Sequence, residues 1–128
     1  MGREHRHSVL IVEDDRSCGE AVTTLLELHG SAVTVAKDGQ IALDQLRQGL
    51  KPCVIVLDLM MPGKTGWQFR EEQLGDAALA AVPVIVMSGS SPSIEKARQL
   101  RVGLQDFVEK PVHLDRLLTL LARHCPER

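Results

Sequence analysis

Short apolar runs alternate with amphipathic stretches along the whole chain. Residues 9–12 form a continuous apolar run of strand length, as expected when both faces of a parallel strand are covered. Ala21, Val22, Leu25, Leu26 and Leu28 then recur at helical spacing, and Gly30 supplies a stop. Val33 and Val35 mark a second strand, and Asp38 is placed to cap a helix carrying Ile41, Ala42, Leu43 and Leu46. Pro52 opens a third strand over 53–57, at a position where its missing N–H is tolerated. Thr65 and Gln68 have capping-box spacing, which predicts a short helix from near Gly66. Residues 84–87 read as the fourth strand. Ser91 and Pro92 suit the N-cap and first position of a helix through Ile94, Ala97 and Leu100. Residues 107–109 form a short fifth strand, and Leu114, Leu117, Leu118 and Leu121 give a last helix its buried stripe.

This alternation implies a parallel sheet with helices on both faces and right-handed crossovers. In such sheets the site lies beyond the carboxyl ends of the strands, where strand order reverses. Asp14, Asp58, Ser88 and Lys110 all fall at those ends. Asp58 is the most informative, because an apolar run delivers its carboxylate straight into a turn rich in Pro and Gly, DLMMPGKTG over 58–66.

Composition narrows the classes. At 128 residues with 44% hydrophobic and 25% charged, the chain fits one globular domain. A net charge of −2, dispersed basic residues and only Trp67, Phe69 and Phe107 as aromatics argue against nucleic acid or an anionic membrane as partners. Cys18, Cys53 and Cys125 are odd in number and widely spaced, which suits reduced, structural thiols in the cytoplasm. The five histidines lack metal-ligand spacing, so nothing supports zinc. The apolar run after the N-terminus is too short for a signal peptide or a membrane span. Met60 and Met61 read as packing residues and Trp67 as a partly buried helix anchor.

Several carboxylates brought together either protonate or share a cation. Mg²⁺ suits oxygen ligands and keeps several waters beside one or two carboxylates. Lys110 would add a point positive charge, and the Ser88 hydroxyl can donate a hydrogen bond to an incoming oxygen. Such a set fits a phosphoryl group, with Asp58 as nucleophile and Lys110 holding the equatorial oxygens.

At these residues the chain resembles the receiver domain of two-component response regulators. The acidic run Glu13–Asp14–Asp15, the stretch DLMMPGKTG around Asp58, Ser88, Phe107 and the pair Lys110–Pro111 stand in the family's order and spacing. The resemblance implies a flavodoxin-like, doubly wound five-stranded parallel sheet, order 2-1-3-4-5, with five helices. It implies that Asp58 is phosphorylated from a phosphohistidine on a sensor histidine kinase or phosphotransfer protein. Asp14, Asp15, Asp58 and the backbone carbonyl of Met60 would hold Mg²⁺, and Glu13 is a further candidate. Ser88 and Phe107 would form the switch. It would remodel the face of the fourth helix, fifth strand and fifth helix for a downstream effector. A cis peptide is expected before Pro111. The expected organisation is a single receiver domain over 1–128, with a flexible tail at 1–7 and no output domain.

Departures accompany the matches. Leu104 follows Gly103 where the family usually has a small residue, and Met60 and Ser90 replace its usual acidic or amide residues beside the site. Met60 and Ser90 are poorly suited to fixing an attacking water, so phospho-Asp58 is expected to be lost slowly. Activity beyond self-phosphorylation and this slow self-dephosphorylation is not expected. Other classes fit less well. A flavodoxin-like cofactor binder needs a phosphate-cradling loop after the first strand, where this chain has three acids. An aspartyl-phosphate hydrolase needs a second acid, and position 60 is Met. The remaining alternative is an interaction module of the same fold that works without phosphorylation.

Overall fold

The computed structural model describes residues 8–59, 66–88, 107–109 and 113–124. Strands β1 (Ser8–Val12), β2 (Ala32–Ala36), β3 (Val54–Asp58), β4 (Val84–Ser88) and β5 (Phe107–Glu109) form one sheet in the order β2-β1-β3-β4-β5. Every pairing is parallel. This is the doubly wound arrangement expected from the sequence. The described helices are α1 (Arg16–Leu28), α2 (Gly39–Arg47), α3 (Gly66–Leu74) and the C-terminal helix α4 (Leu114–His124). The helix expected from Ser91, the Thr65 cap and the Lys110–Pro111 bond lie outside the described residues.

Strand periodicity divides the core between the two faces of the sheet. Leu10, Val12, Ile55, Leu57, Val84 and Val86 pack with Ala42, Leu43 and Leu46 of α2 and Phe69 of α3. The alternate positions Val9, Ile11, Val54, Val56, Ile85 and Met87 pack with Val22 and Leu26 of α1 and with Leu117, Leu120 and Leu121 of α4. Side chains on successive strand residues point to opposite faces, so a strand covered on both sides must be apolar throughout. β3 is buried at every position, including the carboxylate at its end.

Local signals set the helix limits. Asp38 Oδ1 accepts from Ile41 N at 2.8 Å, satisfying one of the orphan donors of α2. At the end of α1, Gly30 takes φ 90°, and Ser31 N donates to Leu26 O at 3.0 Å. Only glycine enters that left-handed region without a Cβ penalty, which is why the stop read at Gly30 holds. No helix among the described residues is long and apolar enough to cross a membrane.

Candidate functional site

The register Val12↔Leu57 sets the next residues of the two central strands, Glu13 and Asp58, side by side at the carboxyl end of the sheet. Both share strand parity with the residues that face α1 and α4. Glu13 N extends the ladder to Ala36 O at 3.0 Å, so its backbone is held as if β1 ran one residue further. Glu13 is 2% exposed and Asp58 3%, yet both are acids. Asp14 completes the group from the exposed side, and one carboxylate oxygen from each of Glu13, Asp14 and Asp58 lies within 4.8 Å of the others.

Asp15 does something else. Its Oδ1 accepts from Ser17 N at 3.0 Å and Cys18 N at 3.4 Å, making it the N-cap of α1. The clustered acids are therefore Glu13, Asp14 and Asp58, where the sequence suggested Asp14, Asp15, Asp58 and the Met60 carbonyl, with Glu13 as a further candidate. The physical reason is that Asp15 stands one residue before Arg16, the first residue of α1, and the exposed amides there take its carboxylate. The Asp15 backbone N–H in turn donates to Glu13 Oε2 at 3.0 Å. A cavity of about 620 Å³ opens beside this turn, lined by Glu13, Asp14, Asp15, Glu20, Thr23 and Lys37 among others.

Gly66 fixes the other side. A Cβ placed there would lie 2.5 Å from the Asp58 backbone oxygen and 2.6 Å from Leu59 Cα, closer than packed atoms approach. Gly66 N donates to Leu59 O at 3.3 Å, so the start of α3 rests directly on the backbone that carries Asp58. Sequence reading placed Gly66 only as the beginning of a helix. The GKTG ending of the turn was the available signal, since a Gly where a helix starts against a strand marks close backbone approach.

The other expected site residues divide by location. Ser88 is the last residue of β4, in register with Glu109, and Phe107 opens β5 opposite Val86. Met60, Lys110 and Pro111, with Ser90 and Leu104, lie outside the described residues. Chemically, the acid group offers only oxygen donors, two of them on buried residues and one open to water. Such a set fits a hard divalent cation that keeps part of its hydration, and it lacks the nitrogen and sulfur donors of a structural zinc site.

The model of the response regulator receiver domain matches residues 9–122. Protein PilH of Pseudomonas aeruginosa is 34% identical over 110 residues, which cover 86% of this chain and 90% of that protein. Sensory transduction protein RegX3 of Mycobacterium tuberculosis is 37% identical over 105 residues, covering 81% of this chain and only 44% of its own length. Among solved structures, a response regulator receiver protein from Pseudomonas putida superposes with a TM-score of 0.82 at 28% identity, covering 93% of this chain and 98% of that one.

Proposed function

The chain belongs to the response regulator receiver family, and from that premise we propose that Asp58 accepts a phosphoryl group in a Mg²⁺-dependent reaction. The donor is a phosphohistidine on a sensor histidine kinase or a histidine phosphotransfer protein. The observation that carries this reading is a buried carboxylate at the end of a central strand with two further carboxylates in reach. Like charges so close repel, and a cation among them is favoured, which supports reading the group as a cation site. Glu13, Asp14 and Asp58 would hold Mg²⁺, which supplies neutralisation of the charge developing on the phosphoryl oxygens.

In the transfer, one Asp58 carboxylate oxygen forms a bond to phosphorus as the phosphorus–nitrogen bond to the donor imidazole breaks, and the electron pair leaves with the imidazole. Strand β3 holds the nucleophile in place, because Asp58 is paired on its backbone opposite Met87 and is overlain by Gly66. Positioning of this kind is most of what a protein contributes to phosphoryl transfer. Lys110 binds the transferred oxygens, and Ser88 and Phe107 respond to them. Their response remodels the surface of the helix expected from Ser91, β5 and α4 for a downstream effector. The protein works in the cytoplasm, with no chemistry beyond its own phosphorylation and a slow reversal of it.

The test is intact mass after incubation with acetyl phosphate. One phosphoryl group per chain is expected in Mg²⁺ and none in chelator. Asp58→Asn is expected to stay unmodified. Full modification of that variant, or modification indifferent to chelator, would falsify the assignment.

A further inference from the structure

We infer that Asp15 is a positioning residue for the cation site, capping α1 so that its own backbone N–H holds the Glu13 carboxylate in the cluster. The inference rests on the reading of Glu13, Asp14 and Asp58 as cation ligands, and it gives the third acid of the run a separate task. The Asp15 backbone is fixed by its side chain and by its carbonyl. Its carboxylate takes Ser17 N and Cys18 N, and its C=O accepts from Gly19 N at 2.9 Å. Its φ of −77° and ψ of 111° are those of an N-cap residue. So restrained, the Asp15 N–H points at Glu13 Oε2, 3.0 Å away.

Glu13 needs such a restraint. A glutamate has three side-chain torsions, and only some of its rotamers bring an oxygen to Asp14 and Asp58. A second contact from α1 serves the same end. The hydrogen face of Gly19 lies against the Glu13 methylenes, with the place of a Cβ at 3.9 Å from Glu13 Cγ. Helix α1 thus closes over Glu13, and the Asp15 cap ties its first turn to the site. Partners behind a metal ligand orient it, and their loss commonly weakens metal binding without removing a donor.

The cap and a direct role at the ion predict different outcomes for the same substitutions. Asn and Ser cap helices about as well as Asp, and Ala does not. Asn, Ser and Ala all remove the charge equally. Glu20→Gln reports the loss of one exposed acid that lines the same cavity without capping anything. Mg²⁺ binding to the full chain is measured by titration calorimetry for the wild type and for Asp15→Asn, Asp15→Ser, Asp15→Ala and Glu20→Gln. Amide exchange at Ser17 and Cys18 in chelator reads the cap by itself. Asp15→Ala is expected to weaken Mg²⁺ binding about tenfold, the scale of a lost supporting contact. It should also speed exchange at both amides. Asp15→Asn and Asp15→Ser are expected to stay within about threefold of the wild type, close to Glu20→Gln, as a solvent-screened charge would give. Equal weakening in all three Asp15 variants would overturn the inference in favour of a direct role for the carboxylate. Wild-type affinity in Asp15→Ala, with faster exchange at the two amides, would overturn it as well. Asp58→Asn separates the two levels: if it binds Mg²⁺ as the wild type does, the cation-site reading itself fails and this inference falls with it.

Discussion

The two ends of the central strands are made of opposite materials. At the amino end, Ser8 N donates to Cys53 Sγ at 3.2 Å, Cys53 N donates to Ser8 O at 2.8 Å, and Ile55 N donates to Pro83 O at 2.9 Å. The segment entering β4 is held by Gln73, fully buried, whose Nε2 donates to Leu79 O and Val82 O, both at 3.0 Å. These are neutral groups joined by hydrogen bonds, with Arg70 Nη1 donating to Gln73 Oε1 at their edge. At the carboxyl end the same strands carry Glu13 and Asp58, buried, with Asp14 beside them. Two unit charges at the 4.8 Å limit of that group repel by about 3.5 kcal/mol at an effective dielectric of about 20. One end is thus built of hydrogen-bonded groups that serve stability, whereas the other gathers like charges that a bound cation would favour. A fold that keeps such an arrangement has a use for it.

The sharpest challenge to that division is Gly66→Ala. The added methyl meets the backbone of Asp58 and Leu59, which cannot rotate aside as a side chain could, so either α3 or the end of β3 must move. Overpacking of this kind costs about 3 kcal/mol. Urea unfolding is expected to show that loss, and phosphorylation by acetyl phosphate is expected to slow at least about tenfold because the nucleophile is displaced. A variant of wild-type stability and rate would mean that the start of α3 does not brace the site.

Gln73→Ala attacks the opposite end. It strips the hydrogen bonds from Leu79 O and Val82 O and removes the acceptor of Arg70 Nη1, 2.7 Å away. Leu79 O keeps Val82 N at 3.2 Å while Val82 O loses its side-chain donor, and with the Arg70 contact the loss is about 2 kcal/mol in sum. Here the stability loss is expected without any change in Mg²⁺ affinity or phosphorylation rate. Parallel losses of stability and Mg²⁺ binding would show that the two ends are coupled and would dissolve the contrast between them.

The same contrast explains what was legible in the sequence. Strand composition and helix spacing gave the parallel sheet and all the described helices, because covering both faces of a sheet demands apolar runs, whereas the strand order was implied by the resemblance to the receiver family. Asp58 stood out as a charge at the end of such a run, although the structure includes it in β3 while the sequence placed it just after the strand. The acidic run was harder. Three adjacent acids look alike, and what separates them is parity: Glu13 follows Val9 and Ile11 on the α1 face, whereas Asp15 precedes the first residue of a helix. Both signals lie in the sequence, whereas the pairing of Asp14 with Asp15 was what the resemblance to the receiver family implied, with Glu13 as a further candidate. The role of Gly66 and the buried amide of Gln73 depend on contacts between elements, which periodicity within one element does not encode.

Asp58→Asn removes one of the clustered charges while keeping the size of the side chain, so in chelator the variant is expected to stay within about 1 kcal/mol of the wild type, relief of like-charge repulsion offsetting contacts its carboxylate gives up. Added Mg²⁺ should stabilise the wild type, by about 2.7 kcal/mol at a concentration one hundred times its dissociation constant, and the variant much less. Thermal unfolding with and without Mg²⁺ measures both effects. A variant stabilised by Mg²⁺ as much as the wild type would show that Asp58 does not help to hold the cation, and the contrast between the two ends would lose its chemical basis.

The smallest effect should come from Cys53→Ser. Cys53 accepts from Ser8 N through sulfur and returns its own N–H to Ser8 O, a reciprocal pair at the start of β1 and β3. A hydroxyl keeps the acceptor, and the side chain is only partly buried, so the lost sulfur contacts with the neighbouring core are offset by a better hydrogen bond. The net change is expected to be within about 0.5 kcal/mol, with phosphorylation and Mg²⁺ binding unaltered. Cys53→Ala loses the acceptor and should cost about 1 kcal/mol in the same urea series. If Ser proves as costly as Ala, the thiol acts by packing alone, and its hydrogen bond from Ser8 N contributes nothing to the amino end.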